Sequence, residues 1–165
     1  MSIQENRAEY ERLIKDRNYE DVKFNEQTGA LYAKHIDHNF DKTKSPFKGL
    51  TRGDYEKNTV NVLYDNGKKV ILNSEREASG IETPDGTLDG KIFEIKGVEV
   101  KIDDTYMKRR ISKASKQGVE IVVFYFHDSD MFDLELLNKG YKRYLGNSKR
   151  VSKIYYIVNN ELNNI

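Results

Sequence analysis

Apolar and polar positions follow one another along the chain at spacings that are typical of helices in some segments and of strands in others. Residues 119–126 form an almost uninterrupted apolar run, which predicts a strand that is covered on both faces. Apolar residues at helical spacing predict amphipathic helices at residues 104–117 and 130–145. Another helix is predicted to begin at Asp54, as its N-cap, and to end near Tyr64.

The order of these elements indicates the fold class. From residue 54 onward, the predicted order is helix, three strands, helix, strand, helix, strand. Because helices and strands are mixed along the chain, we expect an α/β (α+β) fold in which helices flank a mixed central β-sheet.

The first third of the chain is less regular. A short amphipathic helix is predicted at residues 5–16, and short strands are predicted at residues 19–24 and 29–34. We therefore expect an N-terminal extension of unassigned function at residues 1–50, followed by one domain at residues 51–165.

The strongest local signal is a hairpin around Asp89-Gly90, since this dipeptide favours a two-residue type I′ turn. Counting outward from such a turn pairs Asp85 with Glu94 across the two strands, with their β-carbons about 5 Å apart. Strand alternation places Lys96 on the same face as Glu94. Two carboxylates and an amine are thus predicted to lie close together.

Like charges that face each other across a ladder are destabilising, and a divalent cation would offset their repulsion. Oxygen atoms of Asp85, Glu94 and the Ile95 carbonyl would suit Mg²⁺ or Mn²⁺. We expect Lys96 to be an exposed residue that orients a water molecule and stabilises charge in a transition state. If the hairpin turn is longer than two residues, Asp89 replaces Asp85 as the strand acid.

Composition excludes several classes of protein. The 165 residues include no cysteine, which excludes disulfides, thiolate zinc sites and a cysteine nucleophile. No uncharged apolar run reaches about 18 residues, and the charged N-terminus does not resemble a secretion signal. We therefore expect a protein that does not enter the membrane and acts in the cytoplasm.

The net charge of +1 conceals a local excess of basic residues. Residues 108–116 carry five positive charges and no acid. A polyanion such as nucleic acid is a plausible partner for this helix, and a solvated helix face is the alternative. The residues expected to grip a phosphate backbone are Lys108, Arg109, Lys113 and Lys116.

Pro84-Asp85, followed by Glu94-Ile95-Lys96 on the next strand, resembles the motif of the restriction-endonuclease-like PD-(D/E)xK nuclease superfamily. A longer pattern extends from residue 54 to the C-terminus and includes Tyr55-Glu56, Asn66-Gly67 and the segment 111–117. This pattern resembles the C-terminal nuclease toxin domain, described as a tRNA nuclease, of contact-dependent growth-inhibition proteins. Related modules occur on phage and mobile-element proteins.

The resemblance implies a restriction-endonuclease-like core and metal-dependent hydrolysis of phosphodiester bonds, with Mg²⁺ or Mn²⁺ as the cofactor. It makes Glu56 a further metal or water ligand and Gln117 a polar residue that supports the site. It also implies a cognate immunity protein and a carrier that delivers the domain into a target cell. The residues do not distinguish tRNA from DNA as the substrate.

Two other functions remain open at this stage. One is a non-catalytic nucleic-acid-binding or phage-associated adaptor module on the same fold, and the other is a metal-free nuclease of the barnase-like class. His35, His38 and Asp41 have the spacing of metal ligands on a helix. Turn and strand signals in this segment favour surface polar residues instead.

Overall fold

The computed structural model describes residues 2–75 and 83–165. Four α-helices and a short 3-10 helix at Ser129–Met131 are present in this part of the chain. The α-helices are α1 (Ile3–Leu13), α2 (Arg52–Asp65), α3 (Asp104–Lys116) and α4 (Leu134–Leu145). The strands are β1 (Tyr19–Phe24), β2 (Leu31–His35), β3 (Lys69–Leu72), β4 (Gly86–Leu88), β5 (Lys91–Val98), β6 (Ile121–Phe126), β7 (Lys153–Val158) and β8 (Glu161–Asn164).

All eight strands belong to one mixed sheet, in which their spatial order equals their order along the chain. The pairs β2–β3, β5–β6 and β6–β7 are parallel, and the other neighbouring strands are antiparallel. The expected mixed α/β class is therefore confirmed, and the arrangement is compatible with an α+β nuclease-like fold. Within the described residues, every helix is too short or too polar to cross a membrane.

Helix α2 covers one face of the sheet, while α3 and α4 cover the other face. The apolar cluster under α2 includes Tyr55, Leu63 and Phe93, and the cluster under α3 and α4 includes Met107 and Phe124. Strand β6 contributes alternate side chains to both clusters, which explains why its sequence is apolar throughout.

The start of α2 differs from the expectation, because Thr51 rather than Asp54 is the N-cap. The Thr51 hydroxyl accepts a hydrogen bond from the Asp54 N–H, and the Asp54 carboxylate accepts one from the Thr51 N–H. This capping box begins the helix one turn earlier than predicted and places Glu56 inside its second turn.

The β4–β5 hairpin has the predicted register. Leu88 pairs with Lys91 and Gly86 pairs with Phe93, and both Asp89 and Gly90 have positive φ angles, as a type I′ turn requires. Asp89 therefore lies in the turn, where its carboxylate accepts a hydrogen bond from the Lys69 N–H.

The N-terminal segment contributes to the same sheet as the rest of the protein. Strand β1 pairs with β2, which in turn pairs in parallel with β3. Buried Lys69 on β3 forms an ion pair of 2.8 Å with Glu9 on α1. Residues of the first third thus pack beside β3, the strand that leads to Asn73 and Glu75.

Candidate active site

Asp85 lies where β4 begins and β5 continues without an antiparallel neighbour. Strand β4 begins at Gly86, so the edge of β5 beyond Phe93 has backbone groups that β4 does not pair. The Asp85 carboxylate occupies this edge, where Oδ2 accepts a hydrogen bond of 2.6 Å from the Ile95 N–H. The hairpin register therefore positions Asp85 against the strand that carries Glu94 and Lys96.

Glu94 and Lys96 form a close pair on the same face of β5. Lys96 Nζ lies 3.1 Å from Glu94 Oε2, and both side chains are largely shielded from solvent. Lys96 is only 8% exposed, so the expectation that it is an exposed residue is wrong. Lys96 lines a cleft together with side chains of α3.

Glu56 on α2 approaches the same site from the other side of the sheet. Its Oε1 lies 2.5 Å from Nε2 of His38, and this histidine is fully buried. The other ring nitrogen, Nδ1, lies 2.8 Å from the carbonyl oxygen of Asn73. The expectation that His38 is a surface polar residue is therefore wrong.

Both ring nitrogens of His38 face acceptors, which favours the protonated imidazolium. Burial lowers the pKa of His38, but the hydrogen bond and charge of Glu56, the carbonyl of Asn73 and the charge of Glu75 together raise it. In this form His38 donates to Glu56 and to Asn73. It therefore fixes the orientation of the Glu56 carboxylate.

The pKa of the Asp85 carboxyl group is raised, unlike that of a typical surface aspartate. Burial raises the pKa of Asp85 well above its usual value, and the negative charges of Glu56 and Glu94 raise it further. The Ile95 N–H and the positive charge of His38 act in the opposite direction but do not cancel this rise. A positive charge next to Asp85 would therefore stabilise its ionised form.

Three ligand atoms near Asp85 are close enough to share a metal ion. One atom each from His38, Glu75 and Asp85 lie within 4.8 Å of one another, so this group could hold a metal ion. Glu75 Oε1 is 3.6 Å from His38 Nδ1, and the Glu75 side chain is 39% exposed. This group shares Asp85 with the ligand set that was predicted from the sequence, but it adds His38 and Glu75.

The acidic residues open into two adjoining clefts. The acidic cleft, about 600 Å³ in volume, is lined by Asp41, Arg52, Tyr55, Glu56, Asp85, Ile95, Gly97, Glu99 and Arg110. The basic cleft, about 460 Å³, is lined by Lys96, Tyr106, Arg109, Arg110 and Lys113. A third cavity of about 690 Å³ overlaps the acidic cleft and also reaches Glu94, Lys96 and Lys113.

A glycine on β5 allows α2 to approach the sheet closely at this site. A Cβ atom at Gly97 would overlap the ring of Tyr55, which precedes Glu56 on α2. The Tyr55 hydroxyl donates a hydrogen bond of 3.3 Å to Oε2 of Glu99, the residue that directly follows β5. The small residue thus fixes the distance between Glu56 and the strand.

Helix α3 presents one stripe of side chains to the basic cleft. Lys113 and Arg109 line it, as do Arg110 and Tyr106, which sequence analysis did not select. Gln117, the C-cap of α3, follows Lys113 on the same stripe but does not line any of the three clefts. Neither Lys108 nor Lys116 lines these clefts, so their contact with nucleic acid stays a prediction.

The histidine motif considered in the sequence does not form a helical metal site. His35 ends β2 and packs edge-on against Tyr19, whereas His38 is buried beside Glu56 and Asp41 lines the acidic cleft. Only His38 of this motif belongs to the group that could bind a metal ion. The helical spacing therefore pointed to His38, although this segment is not a helix.

Comparisons with known proteins support the fold. The chain matches no protein family and no curated protein. It is similar in structure to a chain of the CdiA-CT/CdiI toxin and immunity complex from Burkholderia pseudomallei, with a TM-score of 0.53 and 18% sequence identity. The match covers 77% of this chain and 96% of that chain. The chain thus shares a fold with a component of this toxin and immunity complex.

Proposed function

We propose that the protein is a metal-dependent nuclease of the PD-(D/E)xK type, which hydrolyses phosphodiester bonds in tRNA or in DNA. The observation that carries this proposal is the position of Asp85, which is half-buried beside Ile95 and lines a cleft together with Glu56 and Glu94. Repulsion among these carboxylates is costly unless a cation relieves it, and such strain is typical of functional sites. Lys96, beside Glu94, completes the set of groups that the motif requires.

The donor set fits Mg²⁺ or Mn²⁺, because these ions prefer carboxylate oxygens. Asp85 and Glu56 would hold the ion, together with Glu94 and the Ile95 carbonyl, as the motif implies. Glu75 adds a carboxylate that the motif does not include. As an imidazolium, His38 would hold Glu56 rather than act as a ligand. When bound, the ion would polarise the phosphate and lower the pKa of a water molecule.

The remaining steps use residues of the chain. Lys96 would orient the water molecule whose oxygen attacks phosphorus, and it would stabilise the negative charge that develops on the phosphate oxygens. As the water oxygen bonds to phosphorus, one of its protons passes to solvent. The bond from phosphorus to the leaving oxygen breaks, that oxygen takes a proton from solvent, and the products are a phosphate end and a hydroxyl end. Arg109 and Lys113, in the basic cleft beside Lys96, would bind neighbouring phosphates.

The biological setting that we propose is that of a bacterial toxin domain. The similarity in fold to a chain of a CdiA-CT/CdiI toxin and immunity complex supports this setting. In it, a carrier would deliver the domain into a target cell, where it would act on nucleic acid in the cytoplasm. A cognate immunity protein would bind the toxin in the producing cell and block its activity.

The second candidate is a binding module on the same fold that holds nucleic acid without cleaving it. The basic cleft favours this function as much as it favours a nuclease. The cluster of acidic residues that lines the adjoining cleft argues against it, because a module that only binds polyanions gains nothing from carboxylates that repel them.

Incubation with tRNA and with plasmid DNA tests the proposal. We expect cleavage of one substrate in Mg²⁺, its loss in EDTA, and its recovery when Mg²⁺ or Mn²⁺ is added back. Cleavage that persists in EDTA would favour a metal-free, histidine-dependent nuclease. Binding without cleavage in either metal would favour the binding module.

A further inference from the structure

Arg110 lies where the acidic and basic clefts meet. It lines the acidic cleft with Asp85 and the basic cleft with Lys96, and it also lines the cavity that overlaps both. No role of Arg110 was predicted from the sequence. Arg110 lies between the acidic residues and the other basic residues of α3. A ligand that spans the two clefts would contact it.

Arg110 forms no ion pair with an acid in the part of the chain that the structure describes. Arg52, the other arginine of the acidic cleft, is different, because its Nε donates a hydrogen bond of 3.0 Å to Glu99. Of the two arginines, Arg110 is therefore the one with charge available for an anionic ligand.

Tyr106 holds the Arg110 side chain in place. Nη1 of Arg110 donates a hydrogen bond of 2.5 Å to the Tyr106 hydroxyl, and the guanidinium carbon lies 5.3 Å from the centre of the Tyr106 ring. The two residues are one helical turn apart on α3. One N–H is thus used by the tyrosine, while the other donors of the guanidinium remain for a planar, bidentate contact.

We propose that Arg110, positioned by Tyr106, binds a phosphate group of the nucleic-acid strand next to the phosphodiester that is cleaved at Asp85. This inference rests on the proposed function, because it takes the reacting phosphate to lie in the acidic cleft. Arginine suits the role, since its fork matches two phosphate oxygens and its restrained side chain loses little entropy on binding.

The first test measures binding in EDTA, so that affinity is read without cleavage. The probes are a fluorescein-labelled oligoribonucleotide and the oligodeoxyribonucleotide of the same sequence. Arg110→Ala is expected to weaken binding of the favoured probe about tenfold, the order expected for the loss of one charge-assisted contact. The slope of log K against log salt should fall by about 0.7 for a single strand.

Arg110→Lys and Arg150→Ala are the matched variants. Arg110→Lys keeps the charge but lacks the fork, so it should preserve the salt slope and recover only part of the affinity. Arg150 is an exposed arginine that lines none of the three clefts, and its replacement should leave affinity and slope unchanged. Equal affinity and slope for Arg110→Ala and the parent protein would overturn the inference.

Tyr106→Phe separates positioning from direct contact. It removes the hydroxyl but keeps the ring, so we expect a loss of affinity of about two- to threefold with an unchanged salt slope. A fall in slope equal to that of Arg110→Ala would contradict the positioning role. Thermal melts of both variants identify any loss that arises from unfolding.

Single-turnover cleavage in Mg²⁺ distinguishes failure of this inference from failure of the proposed function. If the parent protein cleaves and Arg110→Ala cleaves and binds equally well, the Arg110 inference is wrong and the nuclease proposal stands. If the parent protein cleaves nothing while Arg110→Ala loses binding and salt slope, the phosphate contact stands and the nuclease proposal is wrong.

Discussion

Nε2 of His38 lies 2.5 Å from Oε1 of Glu56 and so joins the N-terminal third of the chain to the acidic cluster. The backbone of this segment is held in turn by Lys34, whose Nζ donates a hydrogen bond of 2.8 Å to the His38 carbonyl. If Glu56 holds a metal ion as proposed, a residue that orients it in this manner tunes the metal site from outside it. The N-terminal segment therefore positions Glu56 next to β4 and β5, the strands that carry the sequence motif.

His38→Ala should weaken metal binding because Glu56 loses the donor that orients it. The expected loss in Mn²⁺ affinity is about 10- to 100-fold, as is typical for residues that support metal ligands. Isothermal titration calorimetry with Mn²⁺ measures this loss.

The matched control is His35→Ala, since His35 lies on the same segment but packs against Tyr19 and lines none of the three clefts. It should bind Mn²⁺ like the parent protein. His38→Gln, which keeps one donor, should recover part of the affinity. A folded His38→Ala protein with unchanged Mn²⁺ affinity would contradict the role of His38.

In EDTA, the stability of the protein should fall as the pH rises. Asp85 has an ordinary pKa of 3.8 and a raised pKa in the folded protein, so above pH 3.8 the folded state keeps a proton that the unfolded state loses. The free energy of unfolding then decreases with pH, by at most about 1.4 kcal/mol per pH unit for one proton. The raised pKa of His38 acts in the same direction above its ordinary value of 6.5.

Urea unfolding in EDTA between about pH 5 and pH 8 measures this dependence. Asp85→Asn should flatten the curve in its acidic part, where His38 contributes little, and Mg²⁺ should restore the stability of the parent protein at high pH. Asp89→Asn, at the exposed hairpin turn, is the control and should leave the slope unchanged. An equal slope for Asp85→Asn and the parent protein at acidic pH would show that the proton on Asp85 does not cause the pH dependence of stability.

Gly97→Ala should displace α2 from β5, because the added Cβ would overlap the Tyr55 ring. We expect a loss of about 1–3 kcal/mol in the free energy of unfolding, as is typical of overpacking, together with reduced cleavage. Urea unfolding measures the first effect. Gly146→Ala, at the C-cap of α4, has a right-handed backbone and only one close neighbour, so its effect should be much smaller.

The sequence predicted the hairpin and the strand–helix order well because these features depend on local patterns. Asp89-Gly90 fixes the turn type, and the turn type fixes which residues pair. Strand β8 was missed because Glu161–Asn164 is polar and has no apolar alternation, although the Asn159-Asn160 turn before it was visible in the sequence.

The remaining site residues depend on contacts between distant parts of the chain. His38 meets Glu56 and Asn73 only because β2 pairs in parallel with β3, which no local pattern specifies. Arg110 was visible as part of a basic run. Its orientation toward the clefts follows from the packing of Met107 and Ile111 against the sheet, which fixes the rotation of α3.

The central claim is that Asp85 and Lys96 act together in phosphodiester hydrolysis. Asp85→Asn keeps the size of the side chain and removes one of several neighbouring negative charges. Lys96→Gln removes the ion-pair partner of Glu94 but keeps an amide that can donate a hydrogen bond to it. Both variants should fold, as checked by thermal melts. Because the two residues serve one site, the double variant should be hardly slower than either single variant.

The most direct measurement is the single-turnover rate of tRNA and plasmid cleavage in Mg²⁺ for the parent protein, the two single variants and the double variant. We expect a loss of about 100-fold or more in each single variant, with Asp85→Asn also losing Mn²⁺ affinity and Lys96→Gln retaining most of it. Cleavage at the parental rate by folded Asp85→Asn or folded Lys96→Gln would contradict the account.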